Sequence, residues 1–92
     1  EIGSGLVGSE MCIREEVRVR LKNKILKNLG IKIKELRNNK GLTQEELAVK
    51  ANIDTSYIGG IEIGRRSPSI YCLYNIATAL NVSLSDIFNF EI

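Results

Sequence analysis

Four residues suited to a left-handed backbone, Gly41, Asn52, Gly64 and Asn81, punctuate the second half of this 92-residue chain. Glycine and asparagine adopt positive φ at the least steric cost, so they end helices. Each is followed within five residues by Thr43, Asp54, Ser69 or Ser83. Such side chains accept the orphan amide donors of a new first turn. Thr43-Gln44-Glu45-Glu46 reads as a full capping box, and Ser83 with Asp86 as a weaker one. Between the signals, apolar residues recur at helical spacing: Leu47, Ala48 and Ala51; Ile58 and Ile61; Ile70, Leu73, Ile76, Ala77 and Leu80; Leu84, Ile87 and Phe88. Nothing alternates with period two. Four short helices and no strand are expected after Gly41.

A longer helical pattern precedes them. Ile13, Val17, Leu21, Ile25 and Leu29 step by four, and Ile33 and Leu36 continue the stripe. Gly30 is its weak point, costing about 1 kcal/mol relative to alanine. Either one helix runs through Gly30, or two helices meet near Lys24–Asn28. Residues 1–10, EIGSGLVGSE, are read as a vector-derived leader ahead of Met11 and kept out of the fold argument. The expected organisation is that leader, a basic amphipathic extension over 11–25, and one domain over 26–92. The fold class is all-α: a compact five-helix domain with an added amino-terminal helical extension. One short chain holds one small core.

Several function classes are poor fits. The chain has no histidine, which removes the commonest general base and the commonest metal ligand. Cys12 and Cys72 lie 60 positions apart and form no metal-binding pair. Cys72 reads as a small apolar filler, and Cys12 as inert. Two lone cysteines make no disulfide framework, so a reducing, cytoplasmic setting is expected. No apolar run reaches the ~20 residues of a membrane span. No catalytic residue, metal or cofactor is assigned.

Charge points to a partner. Residues 14–40 carry ten basic and three acidic side chains, a net of +7, whereas residues 41–92 carry three and six, a net of −3. A basic segment on a near-neutral body suits a polyanion.

The informative unit is Thr43 to Gly64: a short helix, the turn Asn52-Ile53-Asp54, and a second short helix. Ala48 and Ala51 are small enough to let the two helices cross closely, and Ile53, Ile58 and Ile61 seat the second on the core. This is the helix-turn-helix plan, whose second helix offers its first residues to a DNA major groove. The stretch Leu36-Arg37-Asn38-Asn39-Lys40-Gly41-Leu42-Thr43-Gln44-Glu45-Glu46-Leu47-Ala48 resembles the hallmark of Cro and lambda-repressor type domains. Tyr57-Ile58-Gly59-Gly60-Ile61-Glu62, Gly64-Arg65-Arg66-Ser67-Pro68-Ser69 and Asn75 to Ser83 continue the likeness, which covers roughly residues 26–88. Free-standing domains of this length are most similar to the controller proteins of restriction–modification systems, and small repressors and antitoxins share the pattern. The basic extension is not usual in that family.

The resemblance implies a five-helix DNA-binding fold and roles for particular residues. Thr55, Ser56, Gly59 and Gly60 form the base-facing side of the second motif helix. The two hydroxyls and the Thr55 methyl are the readers, and the glycines give close approach to DNA or to a neighbour. Gln44, Tyr57, Arg65, Arg66 and Ser67 are placed on phosphates or, for the arginines, in a narrow minor groove. Arg37 and Glu62 form a structural ion pair. A homodimer seam is expected from Tyr71, Tyr74, Leu84, Ile87, Phe88 and Phe90, with Ile92 beyond them. The expected partners are double-stranded DNA, a second copy of the chain and, for a transcription switch, RNA polymerase. The rival reading is a protein–protein adaptor or antitoxin-like module on the same fold.

Overall fold

The computed structural model describes the backbone of residues 4–91 and the side chains of residues 15–91. The side chains of Cys12 and Ile13, and the whole of Ile92, invoked above, lie outside the described residues. Five helices follow in order: α1 (Ser4–Asn39), α2 (Gln44–Ala51), α3 (Thr55–Glu62), α4 (Ile70–Leu80) and α5 (Leu84–Ile87). No strand occurs among the described residues. The four stop residues take positive φ, at 71° for Gly41, 57° for Asn52, 80° for Gly64 and 58° for Asn81. Both capping boxes close: Thr43 with Glu46, and Ser83 with Asp86. The Ser83 amide donates to the Asp86 carboxylate, holding that carboxyl below its ordinary range. The Asp86 half of the cap is therefore retained at neutral pH and lost on acidification through its lowered value.

Asp54 departs from expectation. It sits at the N-cap of α3 with extended backbone but caps no amide. Its carboxylate accepts instead from the Ser56 hydroxyl two residues on, the local competition open to aspartate at such sites.

One core joins all five helices: Leu29 and Ile33 from α1, Leu47, Ala48 and Ala51 from α2, Ile58 and Ile61 from α3, Leu73, Ile76, Ala77 and Leu80 from α4, and Ile87 from α5. Cys72 packs against it, and burial pushes its thiol pKa up. Two expected placements change. Ile70 is 66% exposed: it is the first residue of α4, and burial along that helix begins at Leu73. Ile87, expected at a dimer seam, is fully buried in the protomer's own core.

α1 is a single helix that runs through Gly30 and begins at Ser4, inside the stretch read as leader. Its lower half is core. Higher up, Val17 and Leu21 are 45% and 46% exposed. At ~100° per residue a stripe of four-residue steps drifts ~40° each step, so it winds off the core face. Above Leu26 the body also runs out: the molecule measures 54 × 23 × 19 Å, and α1 sets the long dimension.

Gly30 is no weak point but a contact. A Cβ there would stand 2.6 Å from the Glu62 carbonyl oxygen and closer still to that of Ile61. The end of α3 lies directly on the α1 backbone, and only glycine leaves room for it. No helix among the described residues is long and apolar enough to cross a membrane.

Candidate nucleic-acid interface

The motif is held from beneath by a buried polar cluster. Arg37 Nε donates to Glu62 Oε2 at 2.7 Å and Arg37 Nη2 to Glu62 Oε1 at 3.1 Å. Arg37 Nη1 donates to the Leu42 carbonyl at 2.7 Å, and Gln44 Nε2 to Glu62 Oε1 at 2.9 Å. The fork of the guanidinium thus ties α1, the α1–α2 turn and the end of α3 together. The hydrogen bond with Glu62, ahead of the burial that opposes it, raises the Arg37 pKa. A bidentate pair of this kind is among the stronger hydrogen-bonding arrangements in proteins.

Gln44 therefore has a divided role. One of its amide hydrogens goes inward to Glu62, leaving the other, with the first amides of α2, for a ligand. Its Oε1 lies 3.7 Å from the position a Gly59 Cβ would take.

The outer side of α3 carries small groups. Ser56 is exposed and Thr55 half-buried at its first turn. The Ser56 proton is engaged by Asp54, so toward an outside partner Ser56 presents an oxygen. Gly59 has room for a Cβ at ordinary contact distance, so the protomer's own packing does not require glycine there. Gly60 differs. A Cβ on it would fall 2.5 Å from Arg66 Cγ. The close approach at Gly60 is thus made by Arg66.

Arg66 is laid over α3 by three contacts. The Arg65 and Arg66 amides both donate to the Gly60 carbonyl, at 2.8 and 3.2 Å. The arginine stem crosses Gly60, and the guanidinium carbon stands 5.8 Å from the centroid of the Tyr57 ring. A cation over an aromatic face at that distance is attracted by the ring quadrupole. Arg65, Arg66 and Ser67 are all exposed, and Tyr57 is half-buried against the core. Tyr57, Gly60 and Arg66 thus form one unit. Sequence reading named all three but had no means to join residues that meet only once the loop folds back.

Gly60→Ala separates shape from stability. Alanine is the better helix former by about 1 kcal/mol, and the exposed Arg66 chain is free to swing aside. The melting temperature should hold or rise, while affinity for DNA falls because the arginine leaves Tyr57. Thermal melting and a mobility shift on one sample check both signs.

The candidate seam is mixed. Tyr71, Tyr74 and Phe88 are exposed, and Ile70 adds an unexpected apolar group beside Tyr71. Leu84 and Phe90 pack partly against the core, and the Phe88 and Phe90 ring centroids are 6.4 Å apart. Ile87 contributes nothing outward.

Comparison with known proteins agrees with this architecture. A family model described as "Helix-turn-helix" matches residues 33–87. The chain is 37% identical over 68 residues to control protein C.MunI of a Mycoplasma species, covering 73% of this chain and 92% of that protein. It is 42% identical over 57 residues to an HTH-type transcriptional regulator of Sinorhizobium fredii, covering 62% of this chain and 74% of the relative. The crystal structure of the restriction–modification controller protein C.AhdI from Aeromonas hydrophila superposes with a TM-score of 0.68 at 41% identity, covering 68% of this chain and 96% of the controller. With five helices, the Asn52 turn and the Arg37–Glu62 cluster in place, the chain belongs to the helix-turn-helix family of transcriptional regulators.

Proposed function

We propose that the protein is a sequence-specific DNA-binding regulator that grips pseudo-palindromic operator DNA as a homodimer and controls a restriction–modification operon. The observation that carries DNA binding is the posture of Arg66, extended over Gly60 and Tyr57 beside an α3 face of small groups. Thr55 and Ser56 are its readers, and Gly59, which internal packing leaves open, admits the edge of a groove. Arg65, Arg66, Ser67, Gln44 and Tyr57 hold the backbone or the minor groove alongside. So few readers leave much of the discrimination to DNA shape.

Dimerisation follows from energetics. One short reading face cannot supply the ~4–10 kcal/mol that separates specific from non-specific binding. Two copies related by a twofold axis double it, with recognition helices ~34 Å apart on successive major grooves. The seam is assigned to Tyr71, Tyr74, Leu84, Phe88 and Phe90 with the exposed Ile70, while Ile87, buried in the core, takes no part in it. The operon assignment rests on the likeness to controller proteins.

The test is a mobility shift of wild type, Arg66→Ala and Lys50→Ala across salt concentrations. Lys50, exposed at the far end of α2, should matter less. If Arg66 meets a phosphate, its loss weakens binding to all sequences alike and lowers the salt slope by about one unit per bound copy. If it enters the minor groove, the loss depends on A-tract placement. Binding unaffected by Arg66→Ala would remove the reading, and the adaptor alternative would gain.

A further inference from the structure

At Leu26 and Lys27, α1 lies against the same loop that carries the two arginines. At Gly64, φ is +80° and the Cβ position is 3.3 Å from Lys27 Cα and 3.6 Å from the Leu26 carbonyl carbon. The α3–α4 loop therefore rests on the α1 backbone. Just above that contact is a shallow groove. It is lined by the apolar Leu21, Ile25 and Leu26, by the basic Arg18 and Lys22, and by Ser67 of the loop. Ser67 follows Arg65 and Arg66 directly, so the groove continues the candidate interface.

Its charge selects the occupant. Residues 15–27 carry five basic and two acidic side chains. Arg18 reaches Glu15 at 3.0 Å, but both side chains are more than half exposed, and such a pair holds the arginine only weakly. Lys22 pairs with no carboxylate among the described residues. No acidic side chain lines the groove. A second copy of the same face would bring like charges together. A phosphate backbone would meet two cations one helical turn apart, with apolar side chains beside them.

We propose that Arg18 and Lys22 form a second phosphate track, which carries a DNA strand from Ser67 along the basic extension of α1 and adds affinity without sequence preference. This rests on the DNA-binding reading above. The two residues are separated by ~6 Å along the helix, close to the ~6.8 Å of two phosphate steps of one strand along the duplex axis.

The test compares two charge-matched double variants of the full chain. Arg18→Ala with Lys22→Ala removes the track. Arg20→Ala with Lys24→Ala removes the same charge about 200° round the helix, and there too the arginine has an exposed partner, Glu16 at 3.6 Å. All four side chains are exposed, so the melting temperatures should stay close to wild type. Each phosphate contact contributes about 0.9 to the salt slope. The first variant should therefore lower the slope by about 1.8 per bound copy, with an unchanged preferred sequence. Between 50 and 200 mM salt, wild type should then lose about twelvefold more affinity per copy than this variant. The second variant should change the slope by less than half as much. A wild-type slope in the first variant, an equal effect of the second, or a change in sedimentation with the slope intact would each overturn the track. All three leave the regulator reading standing. A wild type that binds no duplex DNA would overturn both.

Discussion

Gly30→Ala is expected to destabilise the protein by about 3 kcal/mol or more, the upper range for overpacked cores. Helix propensity alone forecasts the opposite, a gain of about 1 kcal/mol. The packing term wins because the obstacle is backbone. The new methyl would meet the carbonyls of Ile61 and Glu62, the latter at 2.6 Å, and a carbonyl cannot step aside as a side chain can. Relief requires α3 to lift from α1, which would open the core at Ile33 and Ile61 and stretch the Arg37–Glu62 pair. At about 4–8 °C per kcal/mol for a domain of this size, the melting temperature should fall by ~12 °C or more. Gly59→Ala in the same assay should hold or stabilise, since its Cβ meets only Gln44 Oε1 at 3.7 Å. Equal melting temperatures for Gly30→Ala and wild type would show that α1 and α3 are not in contact as described.

Arg37→Ala should cost about 3–5 kcal/mol, the range for breaking a buried pair by removing one partner. The Arg37 and Glu62 side chains are 10% and 1% exposed. Without the arginine, Glu62 keeps only the Gln44 amide, and the Leu42 carbonyl loses its donor. Replacing both charges by apolar residues of similar volume is often neutral, so Arg37→Met with Glu62→Leu should recover most of the loss. Thermal melting of the single and double variants decides it. A single variant as stable as wild type would mean that the pair does not hold α3 in place.

The helices were legible because their signals are local. The four stops and the capping boxes need only a residue and its neighbours within about five positions, and the structure realises them at Asn52, Gly64, Asn81 and Thr43. The Asp54 cap failed for an equally local reason, since the Ser56 hydroxyl engages its carboxylate instead. What could not be read depends on parts distant in sequence. Gly30 looks like a defect until α3 is seen lying on it. Gly60 looks like an opening for DNA until Arg66 folds over it. Ile70 and Ile87 share the apolar pattern of their helices, and only the packing of α4 and α5 decides that one faces out and the other in. The residue types of the candidate interface were visible in the sequence, but the postures that would make them work, Gln44 turned toward Glu62 and Arg66 lying on Tyr57, were not.

The central claim is sequence-specific recognition of duplex DNA by two copies of this chain. Its most direct measurement is repeated selection by this 92-residue chain from a pool of random-sequence duplexes, with the stoichiometry of the selected complex read by sedimentation. The account predicts enrichment of a pseudo-palindrome whose half-sites lie about one helical turn apart, bound by two copies with an affinity that falls steeply as salt rises. A pool that stays random after repeated rounds, or a selected single half-site held by one copy at every concentration, would contradict it.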